Sequence, residues 1–330
     1  MLTILLFEDI LTTIISVVSG VLLVGGLTQT YQVTGLSLEN NKTCTRTFPD
    51  IPQKMINHGS ALYRGEFLLI CGGGTSNCYT LNVYDASAGW EARVDKLPEE
   101  LQQHTMTTMG DSEAVGLVGG YSETGRSHSL HFINLDMIDV FSVSDGDETG
   151  RTWRLLPTGP GWIPGPILTT ARRSHCTVAI SSTTLVVTGG GDRNGAKLAT
   201  AELVNYEDNT TTALPREMAE KRDEHGCALV ETLVRSIVVA GGAGSVEKLV
   251  MAGDDIGQWN WVQLDSLPKP RYFTTLVPTN DNTGVAIFGG SRDDDKVYRL
   301  EPAEESTEWE EVPGVSFAGL VHTAATILAC

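Results

Sequence analysis

Thr184-Leu185-Val186-Val187-Thr188-Gly189-Gly190 is a short apolar run closed by a glycine pair, and the chain repeats that arrangement. The other copies end at Gly25-Gly26, Gly72-Gly73, Gly119-Gly120, Gly241-Gly242 and Gly289-Gly290. Successive pairs stand 47, 47, 70, 52 and 48 residues apart. Each run is short and aliphatic, as a buried strand is. A glycine pair at its end permits positive φ and close backbone approach. Strand-like units at a period of roughly 45–50 residues predict a propeller rather than a helical solenoid.

Two further marks recur around each pair. Between 14 and 17 residues upstream stand His58, His104, His175, His225 and Tyr272, each opening a short strand-like segment. A sixth copy begins at His322 with no glycine pair after it, so one repeat position takes up 5 of the 7 histidines. Downstream comes a tryptophan followed by an apolar-Pro step: Trp90 with Leu97-Pro98, Trp153 with Leu156-Pro157, Trp261 with Leu267-Pro268, Trp309 with Val312-Pro313. Ile51-Pro52 and Leu214-Pro215 keep only the proline. The spacing between Tyr121 and Ala171 carries roughly twenty extra residues, a long insert in the unit of Gly119-Gly120.

This pattern resembles the kelch repeat over nearly the whole chain, from about residue 20 to the end. The resemblance implies an all-β fold: a six-bladed propeller of four-stranded antiparallel blades, with residues 20–330 as one domain. It also implies that the ring is closed by the C-terminal strand, the one His322 opens. Leu11–Val18 competes for that place. A cleaved leader settles the competition: residues 1–19 read as a secretory signal peptide, apolar over Met1–Phe7 and Leu11–Val18, with small residues at Ser19 and Gly20. An N-terminal strand is the other reading.

Composition fits one large globular β domain, at 41% hydrophobic residues with 35 glycines. The net charge of −18 argues against nucleic acid and against anionic membranes, both of which call for clustered Lys and Arg. After residue 20 no stretch reaches the roughly 18 apolar residues of a membrane span. The 6 cysteines fit an oxidising compartment. Cys71 and Cys78 flank a short turn, where a hairpin brings them within disulfide reach. Cys176 and Cys227 read as buried free thiols; Cys44 and Cys330 have no assigned partner. Asn41 and Asn209 head glycosylation sequons, which count if the chain is exported.

The search for chemistry yields no catalytic set. One histidine per repeat reads as a packing residue rather than a metal ring. Asp293-Asp294-Asp295 reads as a solvated turn. The glycine-rich ends lack the helix and Gly-Lys-Ser/Thr of a phosphate loop, and no Gly-x-Ser-x-Gly elbow occurs. The ligand constellations of kelch-type copper oxidases and of iron-dependent kelch specifier proteins cannot be assigned here. No cofactor and no metal are expected.

What remains is a binding face. In kelch propellers the segment before the innermost strand and the loop after the glycine pair share one face. By that resemblance the face here carries Asn57, Gln103, Arg172, Arg173, Ser174, Arg222, Asp223, Glu224, Arg271 and Tyr272 from the first group. Thr75, Ser76, Asn77, Tyr121, Ser122, Asp192, Arg193, Asn194, Ser291, Arg292 and Asp293 come from the second. Tyr121, Arg173, Ser174, Arg193, Arg271, Tyr272 and Arg292 are the candidate ligand contacts. Arginine forks suit carboxylates, so an acidic peptide or loop of another protein is the expected partner. Within the insert, Trp162 is a candidate contact or a cap on its blade. The resulting expectation is a secreted, monomeric, non-catalytic binding module. An intracellular kelch adaptor and an enzyme using the central pocket are the alternatives.

Overall fold

In the computed structural model, side chains are described for residues 48–53, 55, 57–109, 114–122, 150–156, 161–279, 282–290, 296–301 and 308–313. The backbone alone is described for the strand residues 19–24, 33–37, 42–43, 147–148, 314–316 and 324–329. Residues 1–18, Asn41, Cys44, Arg292, Asp293–Asp295, His322 and Cys330 lie outside these ranges, as do 123–146 of the insert with His128 and His131.

The chain opens with β1 (Ser19–Val24), β2 (Val33–Ser37) and β3 (Lys42–Thr43). Five four-stranded antiparallel blades follow. The first is β4 (His58–Tyr63), β5 (Phe67–Gly72), β6 (Cys78–Asn82) and β7 (Glu91–Ala92). The second begins with β8 (Thr105–Met109) and β9 (Ala114–Val118). A hairpin, β10 (Tyr121–Ser122) with β11 (Asp147–Glu148), interrupts it before β12 (Thr152–Leu155) and β13 (Trp162–Pro164). The third is β14 (Cys176–Ala179), β15 (Thr184–Thr188), β16 (Ala201–Asn205) and β17 (Thr210–Ala213). The fourth is β18 (Gly226–Val230), β19 (Ser236–Ala240), β20 (Val246–Val250) and β21 (Asn260–Leu264). The fifth is β22 (Thr274–Pro278), β23 (Val285–Gly289), β24 (Lys296–Leu300) and β25 (Glu310–Ser316).

The blade count is five where the sequence predicts six. The sequence counts the Gly25-Gly26 unit as a blade of its own. The structure instead pairs β1–β3 with the last strand, β26 (Ala324–Ala329), in a sheet ordered β26-β1-β2-β3 and described by backbone alone.

Blades adhere through apolar side chains packed between neighbouring sheets. Ala61, Tyr63 and Leu69 of the first blade share a core with Val115, Leu117 and Trp153 of the second. Val178, Val186 and Ala201 of the third do so with Ile237, Val239 and Leu249 of the fourth. Neither face of a lone four-stranded sheet is covered, so stacking is what buries these residues. Indole N–H groups tie the rim. Trp90 donates to Pro49 O at 2.9 Å, Trp261 to Arg216 O at 3.2 Å and Trp309 to Asp265 O at 3.2 Å.

The second blade shows the insert's true place. It separates the second strand of the blade from the third, so Trp153 pairs with Leu117 inside the sheet. Trp162 takes the outer-strand position, opposite Leu155, as Trp261 stands opposite Leu249. It is half-buried against the core of the first two blades, a cap on its blade rather than an exposed anchor.

Among the described residues there are two disulfides. Cys71 and Cys78 are paired neighbours on β5 and β6, with Cα atoms 4.2 Å apart, as the sequence predicts. Cys176 and Cys227 correct the expectation of free thiols: they join the innermost strands of the third and fourth blades across a Cα separation of 5.8 Å. The two residues sit at neighbouring, not equivalent, repeat positions, and only the stagger between adjacent blades brings them together. Both bridges suit an oxidising environment. No helix among the described residues is long and apolar enough to cross a membrane.

Candidate ligand-binding face

The site is built from one repeated backbone device. Asn57, Gln103, Ser174, Glu224 and Phe273 each immediately precede the first residue of the inner-strand slot and each adopts positive φ, between 49° and 57°. Their main chains form a belt from blade to blade. Gln103 N donates to Asn57 O at 2.9 Å, Ser174 N to Gln103 O at 3.0 Å and Glu224 N to Ser174 O at 2.8 Å. Thr274 N continues it to Glu224 O at 3.3 Å. A left-handed conformation costs a non-glycine residue of order 1–2 kcal/mol. The belt holds it in place, and all five side chains lie half-buried in a collar on one face.

The histidine slot lies directly beneath. His58, His104, His175 and His225 are buried. Each packs against the preceding blade where that blade offers a neighbour: His175 Nε2 lies 2.9 Å from Thr105 Oγ1 and His225 Nε2 2.9 Å from Thr188 Oγ1. The glycine pair makes the room. Gly189 has φ of 56°, and a Cβ there would stand 2.6 Å from Arg222 O and 2.7 Å from His225 Cε1. Burial pushes His58 down to about 4, and His104 and His175 to about 3, so these rings are neutral packing groups. In the fifth blade Thr274, not Tyr272, fills the slot: it pairs with Gly289 as His58 pairs with Gly72.

Three arginines three residues before that slot turn inward. Arg172 is buried, with Nη2 2.6 Å from Glu202 Oε1 and Nη1 2.6 Å from Gly189 O. Arg222 repeats this with Glu247 at 2.6 Å and Ser245 O at 2.9 Å. Each glutamate also accepts backbone N–H groups, at Thr169 and Thr170 or at Ala219 and Glu220. Arg271, a candidate ligand contact in the sequence, is 1% exposed. It donates to Gly289 O at 3.0 Å and lies 4.8 Å from the centroid of the Tyr298 ring. That position in the repeat faces the blade interior, so Arg271 is placed in the frame and not on the face.

The remaining candidates separate. Arg173, Ser174 and Tyr272 come together with Lys197, Asp223 and Glu224 from three blades. Lys197 Nζ is 2.7 Å from Asp223 Oδ1, 3.2 Å from Gly242 O and 5.0 Å from the Tyr272 ring centroid. Tyr272 is 43% exposed, a large aromatic surface beside these charges. Asp192, in the turn after Gly190-Gly191, is held low: burial raises it, but the N–H groups of Ala196 and Asn194 and the charge of Arg173 prevail. Arg193 in that turn is exposed. Tyr121 lies farther round, bridged through its backbone to Gln102. Lys197 escapes sequence reading, since it is a single lysine in a loop without a repeated counterpart.

Glu224, unlike Glu202 and Glu247, is only half-buried. Burial raises its carboxyl to about 8, reinforced by Asp223 and opposed by Lys197 and Arg173. Among the described residues no group of three or more metal-ligating side chains occurs.

No family model and no curated protein sequence matches this chain. Solved structures do. One, described as the structure of YjhT, superposes with a TM-score of 0.66 at 11% identity, covering 88% of this chain and 94% of that one. The likeness shows a β-propeller fold.

Proposed function

We propose that this protein is a non-catalytic, kelch-like binding module of the extracellular space. Its ligand is a protein or peptide with an acidic segment, docked on the collar face. The sheet β26-β1-β2-β3 closes the ring: β26 lies against β22 of the fifth blade on one side and β4 of the first on the other. The observation that carries the functional reading is the convergence of Arg173, Lys197, Asp223, Glu224 and Tyr272 from three blades onto one face. Such a cluster offers charge for an anionic group beside an aromatic anchor surface. The two disulfides support export, and Asn209 stands exposed in the turn between β16 and β17, open to glycosylation.

The test is fluorescence anisotropy with an N-terminally labelled tetra-aspartate peptide. Arg173→Glu and Tyr272→Ala weaken binding at least tenfold relative to the unchanged protein. Equal affinity for all three removes this reading. The raised carboxyl of Glu224 favours one alternative, catalysis in the central opening, because a carboxylic acid neutral at pH 7 is a usable general acid. Turnover of a small-molecule substrate lost in Glu224→Gln decides for that alternative.

A further inference from the structure

We propose that Asn209 carries an N-linked oligosaccharide that keeps the outer edge of the third blade from pairing with a second copy of this chain. The inference rests on the export reading above and goes beyond it, by giving the modification a task.

β17 is the last strand of its sheet, and no described residue pairs with its outer side. It reads Thr210-Thr211-Thr212-Ala213, with neither charge nor proline, and all but Thr211 are exposed. Such an edge is a template for another strand, unless shortness, charge, proline or cover blunts it. The other blades use those means. β7 is very short and carries Glu91, β13 ends at Pro164, and β25 carries Glu310, Glu311 and Pro313. The first residues of β21 are tied to the loop after β17: Arg216 Nη1 donates to Asn260 Oδ1 at 2.9 Å, and Trp261 Nε1 to Arg216 O at 3.2 Å.

The backbone shows which groups the edge of β17 offers. Leu214 N donates to Ala201 O at 2.9 Å, and in the same register Ala213 stands opposite Glu202 and Thr211 opposite Val204. Antiparallel alternation then turns Thr210 and Thr212 toward β16 and leaves the N–H and C=O of Thr211 and Ala213 pointing outward. That set is self-complementary, as a twofold interface requires. In an antiparallel pair centred on Thr212, Thr211 exchanges both hydrogen bonds with Ala213 of the second copy, and Ala213 with its Thr211. The same register sets exposed Asp208 across from exposed Arg216 of the second copy at either end.

Asn209 is exposed in the turn that enters this strand, with φ of 53°. Thr211, opposite Val204, holds the position that Trp261 holds opposite Leu249 in the fourth blade. Its Oγ1 is buried without a hydrogen-bond partner among the described residues. A hydroxyl there costs free energy where an indole would pack. What it supplies is the threonine that an acceptor asparagine needs two residues on. In the transfer, Asn209 Nδ2 bonds to the anomeric carbon of an oligosaccharide carried on a lipid pyrophosphate. The bond from that carbon to the pyrophosphate oxygen breaks, the lipid pyrophosphate leaves with the electron pair, and the amide loses a proton. The product is a bulky, hydrated group at one end of the bare edge.

The experiment is light scattering on size-fractionated protein secreted from a eukaryotic host. It runs over a dilution series at about 0.15 M salt, where charge repulsion is screened beyond roughly 8 Å. The samples are the unchanged protein, the same protein after enzymatic removal of its glycans, Asn209→Gly, and Asn209→Gly with Thr212→Lys. Glycine takes positive φ without strain. The unchanged protein is expected to be a monomer with a glycan mapped to Asn209. Its molar mass doubles after glycan removal and in Asn209→Gly, and Thr212→Lys restores the monomer. A monomeric Asn209→Gly at every concentration, or an unmodified Asn209 in the secreted protein, overturns the inference and leaves export standing. Doubling of the unchanged, glycosylated protein overturns it as well. Doubling that persists with Thr212→Lys places the association on another surface and has the same consequence. Retention of the chain inside the host with its cysteines reduced overturns the inference and the export reading together.

Discussion

Arg222 and Glu247 show how much of this molecule turns on a single repeat position. Their ion pair is fully buried and ringed by hydrogen bonds to Ser245, Gly241, Ala219 and Glu220, which leave Arg222 Nε as the one guanidinium nitrogen with no hydrogen-bond partner among the described residues. In the first two blades the same two positions are apolar: Met55 with Tyr79, and Leu101 with Trp153, all read from the register opposite Ile70 and Leu117. The fold therefore accepts either solution. Removing one partner leaves an uncompensated buried charge, so Glu247→Ala destabilises by about 3–5 kcal/mol. The double change Arg222→Met with Glu247→Tyr recovers most of that loss, because it copies the first blade. Urea unfolding of the three proteins checks this, and a double variant no more stable than the single one contradicts it. Sequence alone does not separate Arg172, Arg222 and Arg271 from Arg173, since neighbouring arginines look alike and an acidic chain invites the reading that each is exposed. For Arg172 and Arg222 burial goes with the glutamate on the facing strand, 30 and 25 residues away; for Arg271 the Tyr298 ring stands there instead.

At the scale of elements, the glycine pair and the preceding aliphatic run are legible because each obeys local physics: positive φ at the turn and double-sided burial in the strand. The second blade is misread for the opposite reason. Its insert leaves the local pattern intact on both sides, so Trp153 and Trp162 compete for one outer-strand position, and only pairing decides for Trp162. Thr274 hides its slot in the same way, being neither aromatic nor histidine. The bridge between β14 and β18 is invisible to any reading of one repeat at a time. It closes a loop of 51 residues and restrains the unfolded chain by about 4 kcal/mol. Cys176→Ser lowers the thermal midpoint accordingly. Unreduced peptide mapping of the unchanged protein yields one species joining the peptides of Cys176 and Cys227. Finding both as alkylatable thiols contradicts the bridge.

For the whole molecule, a propeller of stacked sheets presents two faces, and antiparallel pairing assigns the chain to them alternately. The segments entering β4, β8, β14, β18 and β22 and the glycine ends of the strands beside them lie on the collar side. The turns at residues 64–66, 181–183 and 231–235, and Thr279 with residues 282–284, lie on the other. The collar side holds the left-handed belt, the partly buried Glu224 and the exposed ring of Tyr272. A propeller scaffold says little of chemistry by itself, so function has to be argued from that face. The most direct measurement is hydrogen exchange of the protein with and without saturating tetra-aspartate peptide. The account predicts added protection in residues 172–174, 192–197, 222–224 and 271–273, with the opposite turns unchanged. Protection confined to those opposite turns, with the collar segments exchanging as before, would contradict it.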